Sequence, residues 1–429
     1  MATFLFFPEG AFGPTNNCVG IGHVLRQRGH RVVFVIEESF AGTLAARGFD
    51  ERLVRLGPPP ELPELPGQFW KDFVAETSPV FRHPTIAQLE GFVAPTFAAL
   101  CDGALYVDDS LHAAIEDVAP DVVVEDNVVS FPAILTCGRP WVRIMSCNPL
   151  ELPDRALPPV FSGYPTTDRG GWAEFRAEAD RVLGPVRDAF DAAATALGAP
   201  PLPAGAFVHQ SAWLNLSLFP AELDYARADP LPATWHVLES SVRGGEAPWE
   251  PPPDLGEPSR PLVYLSLGSL GSADLPLMRQ LVDALAGAPY RVVVSQGPRY
   301  DELELPAGMA GAEFLPQTSV LPQVDIVITH GGNNTVTECV HFGRPMVVLP
   351  LFWDQHDNAQ RVQETGLGRR LDTYRVGRDE IVDAVDSLLE RPPPGLAHAA
   401  RRLQAAPGTE RAADLLERLA ATGDPVVRR

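Results

Sequence analysis

Lysine is almost missing from this chain: Lys71 is the single lysine among 34 basic residues. Against 55 acidic residues this leaves a formal net charge of −21, which excludes the basic footprint that nucleic acids and anionic membranes require. A phosphate-bearing ligand would have to be held by backbone dipoles and a few local donors. Cysteine is scarce too. The five thiols (Cys18, Cys101, Cys137, Cys147, Cys339) lack metal-ligand spacing and are odd in number, which suits reduced thiols in a cytoplasmic protein. Long hydrophobic runs are also lacking. Residues 1–9 have no basic n-region and no cleavage site, and their apolar run is too short for a signal peptide or a bilayer span, so they read as a first strand.

What is present is a repeated α/β pattern. At 429 residues the chain exceeds what one core usually organises. A strand over residues 3–7, a loop over 10–17, a helix stopped by Gly29 and a strand over 31–36 form a βαβ unit. A helix over 41–47 and a strand over 53–56 extend it. A Pro-rich loop over 58–66 follows, then a helical region decorated by Trp70, Phe73, Phe81, Phe92 and Phe97. Those rings suit either plain core or the wall of an apolar pocket. Strands return at 121–126 and 141–145, with Asp126 at a carboxyl end. A stretch dense in Pro, Gly and Glu over 244–261 reads as a linker, after which the pattern restarts with a strand over 262–267. The expected division is 1–243, a linker at 244–261, 262–405, and a terminal helix over 406–429 packing back on the first domain. Two α/β halves around one linker enclose a cleft.

The most informative stretch is His330-Gly331-Gly332-Asn333-Asn334-Thr335-Val336-Thr337-Glu338. A β-branched run over 324–329 precedes it and reads as a buried parallel strand. Apolar positions at helical spacing follow: Val336, Cys339, Val340, Phe342. The glycines therefore sit where a strand becomes a helix, so that backbone N–H groups and the helix dipole can hold a bulky anion. A second buried strand covers 345–350, and Asp354-Gln355 then opens another helix beginning near Asn358. Two adjacent strand ends with polar residues at helix starts make one crevice at the carboxyl edge of a parallel sheet.

These residues resemble the nucleotide-sugar glycosyltransferases of family 1 (UDP-glycosyltransferase-like, bacterial natural-product type). The resemblance rests on Phe314-Leu315-Pro316-Gln317, on His330-Gly331-Gly332 with Asn334 and Glu338, and on Pro350-Leu351-Phe352-Trp353-Asp354-Gln355 with Asn358. Weaker matches are Arg28-Gly29-His30, Asp121 with Asp126, and Gly268-Ser269. It implies a GT-B fold, two Rossmann-like domains facing each other across a cleft, with the acceptor held by the first and the donor by the second. Phe314 would stack on the nucleobase and Gln317 would bond base or ribose. His330 and the amides of Gly332, Asn333, Asn334 and Thr335 would hold the diphosphate, with Gly268 and Ser269 close by. Glu338 would accept from the ribose hydroxyls, and Asp354 and Gln355 from those of a hexose. No cofactor and no metal are implied, because protein donors take the place of a cation.

One departure concerns the base. The family places a catalytic His in the first βα loop, paired with an Asp at a later strand end. Counting sixteen residues back from His30 lands on Pro14. His23 reads as a helix-face residue, whereas Asp126 stands where the partner Asp belongs. Asp126 could act as base, or Glu9, Asn16 or Asn17 could position the acceptor, or the acceptor could be nucleophilic enough alone. The expected acceptor side comprises Pro14, Asn16, Trp70 and Phe81, in a pocket walled by 60–110 and 145–200. The expected activity is inverting transfer of a hexose from a UDP- or dTDP-sugar to a small natural-product acceptor. The alternative is a non-catalytic nucleotide-sugar-binding protein.

Overall fold

The computed structural model describes residues 1–60, 65–253 and 255–428; part of the Pro-rich loop, Asp254 of the linker and Arg429 lie outside them. Among the described residues, thirteen strands fall into two sheets. In the first, β1 (Thr3–Pro8), β2 (Arg31–Glu37), β3 (Asp50–Val54), β4 (Val122–Asp126), β5 (Trp141–Met145), β6 (Leu214–Ser217) and β7 (Trp235–Val237) lie in the order β3-β2-β1-β4-β5-β6-β7. The second contains β8 (Leu262–Ser266), β9 (Arg291–Ser295), β10 (Met309–Ala312), β11 (Ile326–Thr329), β12 (Met346–Val348) and β13 (Gly368–Arg370), ordered β10-β9-β8-β11-β12-β13. Every pairing is parallel. The central strands are buried on both faces, as helix-covered parallel sheets must be, and this accounts for their unbroken Val/Ile/Leu/Phe runs.

Strand order locates the crevices. In each sheet the order reverses once, between β1 and β4 and between β8 and β11. At such a reversal the connecting helices leave to opposite faces and open a crevice at the carboxyl ends. Glu9 and Asp126 stand at the first. Gly268 and His330 stand at the second.

Local chemistry moves several expected boundaries. The first helix is Phe12–Gln27 and not a segment beginning after Asn17; Pro14 lies in its first turn, where no intrahelical N–H bond is lost. The expected helix at 41–47 shrinks to turns and a short 3-10 helix, Ala45–Arg47, bounded by Gly42 and Gly48, both at φ 81. The third strand covers Asp50–Val54 rather than 53–56. His23 lies on the first helix with its ring edge-on to Phe49 at 4.8 Å.

The tail is two helices, Leu396–Ala405 and Gly408–Thr422, separated by Pro407. The second buries Ala412, Ala413, Leu416 and Leu419 in the core of the first sheet's domain. Arg28 bonds Glu410, Asp414 and Glu417 around it at 2.6–2.8 Å, but such exposed pairs contribute little beside the apolar burial. Gly408 sits where the tail meets the linker's approach: an added Cβ would lie 1.7 Å from the Ser240 carbonyl oxygen. Gly408→Ala is therefore expected to destabilise by about 1–3 kcal/mol, the usual range for overpacking. The readout is the denaturant midpoint, and an unchanged midpoint would show that the backbone yields freely there.

The domains also meet through rings. Phe352, at the end of the second sheet's edge, lies 4.9 Å from Phe81 and 5.1 Å from Phe92. Trp353 lies 5.1 Å from Phe97 and 4.4 Å from Phe161.

Candidate active site

The helix Asn333–Phe342 starts at Gly332 with no side-chain cap. Its first-turn N–H groups are therefore left for a ligand, and the positive end of the helix dipole lies with them. Gly331, at φ 87, makes the turn from β11, and its N–H donates to the Thr329 hydroxyl at 3.2 Å. The His330 ring lies between two glycines: an added Cβ would approach it to 2.7 Å at Gly268 and 2.5 Å at Gly332. Burial pushes the imidazolium pKa down to about 4; Thr329 Oγ1 lies 3.4 Å from Nδ1, and a hydroxyl donated there leaves the single N–H on Nε2, the nitrogen beside the two glycines. The ring is thus a neutral imidazole at neutral pH. Ser269 follows in the short helix Gly268–Gly271, half-buried beside it.

Glu338 lies one turn further along the same helix and is 3% exposed. Its carboxylate accepts from Gln317 Nε2 at 2.6 Å and from Arg243 Nη1 at 2.7 Å. Gln317 also donates to the Thr335 hydroxyl at 3.2 Å and accepts from the Tyr264 hydroxyl at 3.2 Å. Phe314 stays 46% exposed, its ring 6.1 Å from Phe12 of the facing domain. An exposed ring beside a buried carboxylate and an uncapped helix start forms one continuous strip of base-, ribose- and phosphate-compatible groups. Asn334 Nδ2 closes the strip against the other domain by donating to the Gly13 carbonyl at 3.0 Å, so Pro14 stands beside the diphosphate end.

Asp354 and Gln355 are buried at the domain interface. Asp354 accepts the Asn148 N–H at 2.8 Å, and Gln355 Oε1 accepts the Leu351 N–H at 3.0 Å, which leaves its amide nitrogen for a ligand. Burial pushes the Asp354 pKa up to about 7. Asp357, one turn on, accepts N–H groups of Phe161 and Gly163 at 2.6 and 2.8 Å.

Across the cleft a cavity of about 830 Å³ opens at the carboxyl edge of the first sheet. Glu9, Glu37, Glu38, Arg55, Phe69, Trp70, Leu100, Asn127 and Phe131 are among its lining residues. Trp70 is thus part of the cavity wall. Three other expectations are corrected. Phe81 is 5% exposed and packs against Phe92 and Phe352, so it is interface core. Asn16 turns to Arg47, whose Nη1 donates to its Oδ1 at 3.0 Å. The segment 145–200 does not wall the cavity; its first part instead ties down the second domain through Asn148, Phe161 and Gly163. Asp126 is 2% exposed and sits behind the cavity wall, accepting from the Ser146 hydroxyl at 2.7 Å and Asn17 Nδ2 at 3.4 Å.

Arg243, Phe12 and Asn148 are site neighbours that sequence reasoning missed. Arg243 stands at the edge of the Pro/Gly/Glu linker, where no periodic signal marks a side chain that folds back 95 positions away in sequence. The only available cue was a lone cation in an acidic stretch.

Residues 256–393 match the model of the family described as UDP-glucoronosyl and UDP-glucosyl transferase. Demethyllactenocin mycarosyltransferase of Streptomyces fradiae is 25% identical, with 98% of this chain and 87% of that protein aligned. Oleandomycin glycosyltransferase of Streptomyces antibioticus is 26% identical over 97% and 90%. Among solved structures, the glycosyltransferase of kitacinnamycin superposes with a TM-score of 0.70 at 25% identity, covering 97% of this chain and 98% of that one. The glycosyltransferase VinC, solved with dTDP, superposes at 0.66 with 19% identity over 98% and 99%.

Proposed function

We propose that this chain, whose residues 256–393 match the model of the UDP-glucoronosyl and UDP-glucosyl transferase family, is a GT-B glycosyltransferase that transfers a hexose with inversion from a nucleoside-diphosphate sugar to a small natural-product acceptor. The observation that carries the reading is the strip from Phe314 through Glu338 to the uncapped helix start beside His330. It matches a donor in order: base, ribose, diphosphate. The helix dipole and the His330 N–H stabilise charge as it develops on the departing diphosphate. Asp354 and Gln355 follow at the sugar end and favour a hexose with free 3- and 4-hydroxyls. The aromatic cavity on the facing domain takes a lipophilic or aromatic acceptor. Its proton leaves toward the carboxylates at the β1/β4 crevice, where Asp126 stands.

Nucleotide identity turns on UDP against dTDP. The dTDP complexes of VinC and of the rhamnosyltransferase SpnG make dTDP the first to test. Thermal protection by UDP, dTDP and their glucose conjugates, followed by transfer to an acceptor panel, tests the reading. Protection with transfer is expected. Binding without transfer or slow donor hydrolysis would return the chain to the non-catalytic alternative raised by Pro14.

A further inference from the structure

The residue the family would use as base is replaced here by Pro14, which can accept no proton, and Asp126 does not reach the cavity. Glu9 does. It follows Pro8, the last residue of β1, and Pro8 is in register with Asp126 on β4, so Glu9 stands at the reversal point of the first sheet. Its main chain is fixed from both sides: its N–H donates to the Asp126 carbonyl at 3.1 Å, and its carbonyl accepts the Ala11 N–H at 2.7 Å. Its carboxylate lines the cavity and takes no hydrogen bond among the described residues. The other charged groups of the wall are engaged. Arg55 pairs with Glu38, and Glu37 accepts the Ser39 N–H at 3.0 Å.

We infer that Glu9 is the catalytic base of the transfer, with Asp126 behind it as a positioning residue; this rests on the glycosyl-transfer reading above. An acceptor hydroxyl in the cavity attacks the anomeric carbon with an oxygen lone pair. The anomeric C–O bond to the diphosphate breaks, and its electron pair leaves on the β-phosphate oxygen. The hydroxyl proton moves to a Glu9 carboxylate oxygen and is later released to water. Asp126 stands next to Glu9 and is kept in place by Ser146 and Asn17; burial pushes its own pKa up to about 7, so it adds its full negative charge only above that pH. Burial first, and the Asp126 charge second, push the Glu9 pKa up to about 7, near the optimum for a base working at neutral pH. The groups around it are Asp126 from β4, Cys147 after β5, Glu37 at the end of β2, Glu38 just after it, and Arg55.

The test compares the native protein with Glu9→Gln, Glu9→Asp and Asp126→Asn, using UDP-glucose and dTDP-glucose as donors and a nitrophenol and a steroid alcohol as acceptors. For the native protein, kcat/KM for the alcohol should rise with pH through about 7, because the base must be ionised. Glu9→Gln should lose about 10²–10⁴-fold on the alcohol, less on the acidic phenol, with nucleotide binding intact as proof of folding. Glu9→Asp should recover part of the rate. Asp126→Asn should move the pH rise to lower values, since the neighbouring charge is gone. If Glu9→Gln stays within about threefold of native with the same pH profile, the inference is overturned while the transfer reading stands. If the native protein binds nucleotide but transfers to neither acceptor, the transfer reading fails and takes this assignment with it.

Discussion

His330→Ala is expected to lower turnover by about 10²–10³-fold, the range seen when one preorganised donor to a developing oxyanion is removed. The ring is held between Gly268 and Gly332 at the mouth of the Asn333–Phe342 helix, so its N–H needs no reorganisation as charge builds on the diphosphate. Its charge state is also constrained. Burial places the imidazolium pKa near 4, so the ring stays neutral between pH 6 and 8 and the loss should be equal across that window. An imidazolium acting as a proton donor would instead make the loss shrink as pH rises. Because the interaction strengthens in the transition state, kcat should fall far more than donor affinity does. A variant that turns over within a few-fold of native would remove His330 from the leaving-group site.

Glu338→Ala should weaken nucleotide binding by about 10–100-fold, since charge-assisted hydrogen bonds contribute about 1.5–3 kcal/mol and each 1.4 kcal/mol is a factor of ten. The size of the loss should depend on the sugar of the nucleotide. A UDP ribose offers this carboxylate two hydroxyls and a dTDP deoxyribose one, so the loss should be larger for UDP. Equal losses would mean that Glu338 does not reach the 2′-hydroxyl, and no loss with either nucleotide that it touches neither hydroxyl. The buried Arg243 complicates the alanine variant, because truncating one partner leaves the other cation poorly paired. Glu246, whose Oε1 accepts from Arg243 Nε at 2.8 Å, remains to hold it. Glu338→Gln, which keeps an acceptor oxygen, should fall between native and alanine. Calorimetric titration with UDP and dTDP reads all three.

The donor half was legible because its chemistry is local. A strand, a glycine turn and a helix start are adjacent in the chain, so residue order from Phe314 to Gln355 nearly reproduces spatial order. The acceptor half was not. Its wall is assembled from strand ends, a Pro-rich loop and one face of a helix that are far apart in sequence. Trp70 and Phe81 carry the same signal, a bulky ring in a helical region, yet one lines the cavity and the other plugs the interface. Only packing distinguishes them. The helix start at Phe12 escaped for a different reason: proline reads as a breaker, although the first turn tolerates it.

The Trp353 backbone lies at φ 58, a region that bulky residues rarely occupy and that persists only where the surroundings enforce it. What enforces it is a nest of rings from the opposite domain, Phe97 and Phe161, while the next two residues are Asp354 and Gln355, the proposed sugar contacts. The turn therefore behaves as a latch whose aim is set by the neighbour it engages. If Asp354 and Gln355 hold the sugar, discrimination between 4-epimeric donors should depend on the closed pair of domains more than grip on the nucleotide does. Loosening the latch at Phe161 would then show as blurred sugar choice at unchanged nucleotide affinity.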